Sequence, residues 1–171
     1  LNGETIRLDG GIRMAPKSLT LMDPSFEAWA PTQPVERQCA VMMSGGVDSS
    51  VAAHLLKEDG WDVVGVTMKI PVACGSGARG CCGADAALVC HELGIPHYYV
   101  DATSMFRHHI IDAFQEAYAD ARTPNPCVDC NSVLKFWLLW DLLEASFGVS
   151  KIATGHYAQV IFENGEARLC R

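Results

Sequence analysis

The sequence predicts an α/β fold, namely a Rossmann-like parallel sheet with helices on both faces and a C-terminal β-hairpin. From residue 38 onward, short apolar stretches alternate with segments of helical periodicity. Gly60 and Gly94 follow two of these helical segments, as glycine commonly does where a helix ends. Repeated strand–helix units of this kind form parallel sheets with right-handed crossovers. Ligands bind such sheets at the carboxyl ends of the strands.

The predicted elements follow this pattern in chain order. The sequence predicts strands at 38–43, 62–69, 97–101 and 151–154, and helices at 48–59, 84–93, 104–121 and 132–147. Ser104 is the predicted N-cap of the third helix. Asn164-Gly165 predicts a two-residue turn between strands at 157–163 and 166–171. We therefore divide the chain into an irregular, proline-containing leader (1–36), an α/β domain (37–157) and a hairpin (158–171) that starts a truncated C-terminal region.

Composition bounds the class of protein. The 171 residues, 49% of them hydrophobic, suit one folded domain, and the net charge of −7 argues against a nucleic-acid-binding surface other than a local basic patch. No apolar run is long enough to span a bilayer, and the first residues lack the pattern of a signal peptide. We therefore expect a cytoplasmic protein with no membrane partner. In that reducing compartment, the eight unevenly spaced cysteines indicate thiol chemistry or metal binding rather than a disulfide framework.

The most informative stretch is the nucleotide loop, defined here as residues 44–50. The strand ends in Met42-Met43, and Ser44-Gly45-Gly46-Val47-Asp48-Ser49-Ser50 leads into a helix. Two glycines let the backbone approach an anion closely, and the N–H groups and dipole at a helix start favour negative charge. The serines add hydroxyl donors, and Asp48 is the predicted N-cap. An ordinary strand-to-helix turn is the alternative, but the acid-Ser-Ser sequence at the helix start favours an anion site.

This loop lacks the Gly-x-x-x-x-Gly-Lys pattern that grips a transferring phosphate with lysine. It resembles the pyrophosphate loop of the N-type ATP-pyrophosphatase superfamily. That resemblance implies that ATP is bound and cleaved between its α and β phosphates, so that an oxygen of the substrate becomes adenylated.

A second motif lies in the proline-containing segment 123–131. The prolines stiffen the chain before Cys127 and Cys130, which have C-x-x-C spacing. Cys130 is predicted to lie immediately before a helix, where the helix dipole would lower the pKa of its thiol. The pair could bind a metal, form a redox disulfide, or act as nucleophile and helper; two buried small hydrophobic residues are the remaining alternative. Cys74, Cys81 and Cys82 are interpreted as loop residues without a catalytic role.

Together the motifs resemble the tRNA-specific 2-thiouridylases, over roughly residues 38–171. The motifs that carry the resemblance occur in the family's order: the nucleotide loop, Met68-Lys69, Arg122-Thr123-Pro124-Asn125-Pro126, Cys130-Asn131, Lys135-Phe136 and Ala153-Thr154-Gly155-His156-Tyr157. The resemblance implies an enzyme that uses ATP and Mg²⁺ to thiolate the wobble uridine of tRNA. Its oxygen on C2 would be adenylated and then displaced by sulfur. The sulfur would come from a cysteine desulfurase or a sulfur-relay protein.

The resemblance also assigns roles to single residues. Met42, Met43 and residues 44–50 would hold ATP, with Met68 and Gly155 against the nucleotide. Asn125, Pro126, Cys127 and His156 would contact tRNA, the first three around a uracil taken out of its stack. Cys130 and Cys127 would be catalytic.

Many family members have Asp at the position of Cys127. The Cys form resembles the variant in which both cysteines and a third one, expected beyond Arg171, hold a [4Fe-4S] cluster. Two other functions stay open: thiolation or amidation of a small molecule, and a non-catalytic module that binds a nucleotide or a cluster in sulfur trafficking.

Overall fold

The computed structural model describes residues 31–71, 83–163 and 165–170, together with the backbone of residues 3–7. Its main sheet has five parallel strands in the order β1-β4-β3-β2-β5. The strands are β1 (Gly3–Arg7), β2 (Gln38–Met42), β3 (Asp62–Lys69), β4 (His97–Asp101) and β5 (Ile152–Ala153). The chain moves outward from β2 through β3 to β4 and then returns to β5 on the other side of β2. A crevice therefore opens between β2 and β5, at the kind of strand-order reversal where such sheets bind ligands.

In the described ranges, four α-helices cover the sheet, and a short 3-10 turn, Val35–Arg37, precedes β2. Helices α1 (Val47–Glu58) and α2 (Ala84–Leu93) are regular. Helix α3 comprises Thr103–Phe106, a π-helical segment Arg107–Asp112, and Ala113–Ala119. Helix α4 comprises Pro126–Asp129, a π-helical segment Cys130–Leu139, and Trp140–Phe147. No helix in the described ranges is both long and apolar enough to cross a membrane.

The core has a layer on each face of the sheet, as the sequence predicts. Alternate residues of the strands point to opposite faces. Ala40 and Val64 pack on one face with Leu139 and Leu143 of α4, whereas Val41 and Val63 pack on the other with residues of α1 and α2. Because both faces are covered, the strands carry continuous apolar runs rather than an alternating pattern. A smaller cluster joins α3 to α4 through Met105, Ile110 and Leu134.

Three helix starts differ from the predictions, and in each a residue other than the predicted one occupies the N-cap position. Helix α1 begins at Val47 with Gly46 as its N-cap, so Asp48 lies inside the first turn and does not cap it. In α3 the N-cap is Ala102 rather than Ser104, and the Asp101 carboxylate accepts a hydrogen bond from the Thr103 N–H at 3.0 Å. Helix α4 begins at Pro126, well before the predicted start at residue 132.

The N-cap of α4 is Asn125. Its side-chain oxygen accepts a hydrogen bond from the Val128 N–H at 3.4 Å, and Pro126 occupies the first helical position, where its missing N–H costs nothing. The two prolines thus start a helix instead of delaying one. Helix α4 is also less buried than its apolar sequence suggests, because Phe136 and Trp137 are exposed.

At the N-terminus, residues 3–7 form a strand that pairs in parallel with β4, so this part of the predicted irregular leader is regular structure. At the C-terminus, β6 (Gln159–Glu163) and β7 (Glu166–Cys170) form the predicted antiparallel hairpin. Gly165 in its turn has φ +81°, the left-handed conformation that glycine adopts readily. Cys74, Cys81, Cys82 and Asn164 lie outside the described residues.

Candidate active site

A cavity of about 300 Å³ lies at the carboxyl end of the sheet, in the crevice between β2 and β5. Its walls come from the end of β2 and the nucleotide loop, the end of β3, the middle of α4 and the segment after β5. The lining residues are Met42, Met43, Ser44, Asp48, Ser49, Val66, Thr67, Met68, Lys135, Thr154, Gly155 and His156. Four distant segments of the chain therefore meet at one site.

Serine hydroxyls hold the nucleotide loop in shape. Ser49 Oγ donates to the Gly46 carbonyl at 3.1 Å and accepts from the Ser44 N–H at 3.3 Å. Ser50 Oγ also donates to the Gly46 carbonyl, at 2.9 Å. The sequence suggests that these hydroxyls are donors to a phosphate, but in the structure they organise the loop. The backbone N–H groups of the first turn, which have no partner within a helix, are the donors that this arrangement leaves for an anion.

Glycine is required at Gly45 for two reasons. Its φ is +79°, and a Cβ there would lie 3.0 Å from Cβ of Asp85 at the start of α2. The close approach packs the loop against α2 as well as against its own helix.

The segment after β5 closes on the start of α1. A Cβ on Gly155 would lie 2.7 Å from both the Asp48 carbonyl carbon and the Ser49 nitrogen, so only glycine fits between them. Two residues further on, the Tyr157 hydroxyl donates a hydrogen bond to Asp48 Oδ1 at 2.8 Å. This hydrogen bond, together with the carboxylate charge, raises the pKa of Tyr157 above its usual value. Asp48 is thereby held at the mouth of the cavity.

His156 and Lys135 also line the cavity. His156 Nδ1 lies 2.7 Å from Thr154 Oγ1, and its ring lies 6.0 Å from that of Phe136 on α4. Lys135 precedes Phe136 and supplies a positive charge to the wall. A lysine ammonium group in the lining of the cavity that the nucleotide loop also lines suits an anionic ligand.

The two cysteines of the C-x-x-C motif lie in the first turns of α4. Cys127 is exposed, whereas Cys130 is half-buried and packs beside the cluster of Met105, Ile110 and Leu134. Burial raises the pKa of the Cys130 thiol; the charge of Lys135 opposes that shift, and Cys127 adds to it. The prediction of a lowered pKa at Cys130 is therefore wrong, because the helix begins at Pro126 and Cys127 occupies the position near its N-terminus.

The structure brings together half of the predicted site residues. Met42, Met43, Ser44, Asp48, Ser49, Met68, Gly155 and His156 line the cavity, and Gly45, Gly46, Val47 and Ser50 shape the loop around it. Asn125, Pro126, Cys127 and Cys130 do not line it but occupy the start of α4, the helix that carries Lys135. Among the described residues, no group of three or more His, Cys, Asp or Glu side chains could hold a metal ion. Cys127 and Cys130 thus supply two thiols toward a cluster and not a complete set of ligands.

Four lining residues are absent from the predicted site: Val66, Thr67, Lys135 and Thr154. Thr67 and Thr154 stand at the carboxyl ends of predicted strands, so the topology alone indicates their position. Lys135 depends on how α4 packs against the sheet, which the periodicity of an almost wholly apolar helix does not specify.

A parallel sheet with a glycine-serine loop at its strand-order reversal, a helix start at the cavity and a lysine in the cavity lining defines a nucleotide-binding α/β domain. Within that class, the sequence profile described as "tRNA methyl transferase HUP domain" matches residues 37–171. The chain therefore belongs to this family.

The chain is also similar to curated proteins named tRNA-specific 2-thiouridylase MnmA. It is 46% identical over 138 residues to the protein of Clostridium acetobutylicum, covering 77% of this chain and 39% of that one. It is 49% identical over 138 residues to that of Sorangium cellulosum, covering 77% and 35%. Over 125 residues it is 50% identical to that of Mycobacteroides abscessus, covering 69% and 35%. The chain thus spans well under half the length of these relatives.

Proposed function

We propose that the protein catalyses ATP-dependent 2-thiolation of the wobble uridine of tRNA. The name of the relatives indicates the reaction, and one structural observation supports assigning that reaction to this chain. The cavity joins the nucleotide loop to Lys135, and Lys135 lies on the same helix as the Cys127–Cys130 pair and influences the pKa of Cys130. This arrangement supports the proposal, because the helix that contributes Lys135 to the cavity also carries the cysteine pair.

The reaction divides into two displacements. The oxygen on C2 of uracil attacks the α-phosphorus of ATP, forming an O–P bond while the bond to pyrophosphate breaks. A sulfur nucleophile then attacks C2, and the former oxygen leaves with AMP, because adenylation has converted a poor leaving group into a good one. The sulfur comes from an external donor such as a cysteine desulfurase or a relay protein. A thiol reductant breaks the S–S bond of the donor's persulfide, so that the sulfur is released at the sulfide level and the thiol is oxidised to a disulfide.

The residues of the cavity serve the first displacement. The N–H groups at the start of α1 donate hydrogen bonds to phosphate oxygens, and the positive charge of Lys135 in the cavity lining balances the negative charge of the phosphates. The Asp48 carboxylate, held by Tyr157, is the group that would hold Mg²⁺, which supplies charge neutralisation on the phosphates when bound. Met68 and Gly155 border the nucleotide, and His156 with Asn125, Pro126 and Cys127 forms the side that receives the tRNA loop.

Cys127 and Cys130 serve the second displacement. The exposed Cys127 is the accessible thiol, and the half-buried Cys130 lies one helical turn further along. Their i, i+3 spacing places both on one side of α4, so they suit two ligands of an iron–sulfur cluster whose other ligands come from outside the described residues. A tRNA-modifying enzyme of this kind works in the cytoplasm, where we place it.

The test compares tRNA from cells that lack the protein and carry wild type, Asp48→Ala or Glu58→Ala. Glu58 is exposed at the other end of α1, and its one ion-pair partner within the described residues is His54, so it is the matched control. We expect wobble 2-thiouridine, measured by mass spectrometry of digested tRNA, with wild type and Glu58→Ala and not with Asp48→Ala. Full 2-thiouridine in cells lacking the protein would show that it has a different substrate.

A further inference from the structure

A buried histidine lies directly beneath the nucleotide loop and outside the cavity. His97 opens β4, and 6% of its surface is exposed. Its Nε2 lies 2.8 Å from Thr67 Oγ1, and Thr67 Oγ1 lies 2.8 Å from the carbonyl oxygen of Met43. Met43 is the last residue before the loop. The three residues therefore form a hydrogen-bonded relay that ends at the backbone on which the loop begins.

The direction of the relay follows from its chemistry. A carbonyl only accepts, so the single proton of the Thr67 hydroxyl is donated to Met43. Thr67 Oγ1 then accepts from His97, which fixes the proton of the neutral ring on Nε2. Nδ1 carries no proton and has no hydrogen-bond partner among the described residues. A second ring proton would bury an N–H group without an acceptor, so the site selects the neutral ring.

Packing holds the relay in place from both sides. A Cβ on Gly65 would lie 3.2 Å from Met43 Cγ and 3.3 Å from His97 Cδ2, so glycine at this position makes room for both. The ring of His97 meets that of Tyr99 edge-on at 4.7 Å, and the Tyr99 hydroxyl donates to the Gly83 carbonyl at 2.8 Å. Gly83 is the N-cap of α2, the helix against which Gly45 packs. The relay is thus part of the support of the loop.

We propose that His97 is a positioning residue for the nucleotide loop, acting through Thr67 on the Met43 carbonyl. The carbonyl direction at Met43 determines how the chain leaves β2, and hence where the loop N–H groups point. Thr67 and Met43 line the cavity, whereas His97 does not, so His97 affects a bound nucleotide only through them. This inference rests on the proposed function in one respect, namely that the loop binds ATP.

The test measures ATP dissociation constants by calorimetry for His97→Leu, His97→Gln, Thr67→Val and the double variant His97→Leu/Thr67→Val. Leucine removes the donor, whereas glutamine retains an amide N–H that can reach Thr67. We expect affinity to fall about tenfold for His97→Leu and for Thr67→Val and no more than about threefold for His97→Gln. Because both residues act in one relay, the double variant should lose no more affinity than the worse single one.

Val149→Ala is the control for a general loss of stability. Val149 is fully buried in the cluster on the opposite face of the sheet and is remote from the relay. Each protein is also unfolded in urea, so that affinities are compared at known stability. His97→Leu binding ATP as well as Val149→Ala does, or losses that add up in the double variant, would overturn the proposal.

A second readout needs neither ATP nor a variant. Nitrogen NMR of protein labelled at histidine should show His97 neutral at pH 7, with the proton on Nε2 and a bare Nδ1. A proton on Nδ1 would overturn the relay whatever the affinities are. Wild type that shows the expected tautomer but binds no ATP would instead refute the proposed function. The relay would then only join the end of β2 to β3 and β4, and the positioning role would be overturned as well.

Discussion

At the residue scale, the contact between Tyr157 and Asp48 is the most accessible feature of the site. The phenol donates to the carboxylate at 2.8 Å, and that contact raises the pKa of Tyr157. Replacing Asp48 with Asn removes the negative charge that opposes ionisation of the phenol. We therefore expect Asp48→Asn to lower the pKa of Tyr157 toward its ordinary value, as measured by carbon NMR of labelled tyrosine. An unchanged titration would mean that the two side chains do not meet in solution.

His97 makes a prediction about stability as a function of pH. Burial lowers its pKa from 6.5 to about 4, so between these values the unfolded chain binds a proton that the native protein does not. The uncharged groups around the ring, on β3, α2 and β4, are Thr67, Cys90 and Tyr99, and none compensates a charge on it. Stability should therefore fall as the pH drops from about 6.5 to about 4, with a total loss of about 3 kcal/mol.

The measurement is urea unfolding at pH 7, 5.5 and 4.5. His97→Gln is the control, because glutamine does not titrate and should lack this part of the slope. Equal slopes for wild type and His97→Gln would show that the pKa of His97 does not differ between the native and unfolded states.

At the scale of elements, the junction between the segment after β5 and the start of α1 depends on Gly155. A Cβ there would meet backbone atoms of Asp48 and Ser49 at 2.7 Å, so Gly155→Ala must push the two segments apart. We expect a loss of about 1–3 kcal/mol in unfolding free energy.

Gly46→Ala is the matched variant for that experiment. Gly46 has φ −85°, and a Cβ would meet only the rotatable Ser44 hydroxyl at 3.3 Å, so its cost should stay under about 1 kcal/mol. Urea unfolding of both variants decides the matter, and comparable losses would contradict the tight junction.

Helix α4 sets a difference in reactivity between its two cysteines. Cys127 is exposed in the first turn, whereas Cys130 is half-buried with a raised pKa. Iodoacetamide at neutral pH should therefore alkylate Cys127 first, as followed by peptide mass spectrometry.

Lys135 supplies the control, since its charge lowers the pKa of Cys130. Lys135→Met should slow alkylation of Cys130 a few-fold, and Lys135→Arg should not. Faster alkylation of Cys130 than of Cys127 would contradict the packing described for α4.

At the scale of the whole molecule, apolar periodicity and glycine placement were enough to predict the parallel sheet and its layers, because burial on two faces leaves a clear pattern. The hairpin was predicted from Asn164-Gly165, since two-residue hairpin turns require positive φ and few residues other than Asn and Gly tolerate it. The helix starts were less predictable. The sequence predicts Asp48 and Ser104 as N-caps and Cys130 immediately before a helix. In the structure the N-caps of these three helices are Gly46, Ala102 and Asn125.

The site was predicted where one segment carries the chemistry and missed where packing does. Residues 44–50 were predicted from their glycine and serine content, and residues 153–157 from the family motif that they form. Lys135 belongs to a family motif, but its place in the cavity, like the relay of His97 and Thr67, depends on how α4 and β4 lie against the end of β2. A buried histidine in a strand of apolar residues is the signal that could have directed attention to this region.

We propose that the protein adenylates the oxygen on C2 of a tRNA uridine. The most direct measurement uses tRNA whose wobble uridine carries ¹⁸O at that position, incubated with the protein, ATP, Mg²⁺ and a sulfur donor. Because the oxygen on C2 leaves with AMP, we expect AMP to gain one ¹⁸O for each 2-thiouridine formed and pyrophosphate to gain none, as measured by mass spectrometry. Thiolated tRNA accompanied by unlabelled AMP would contradict it.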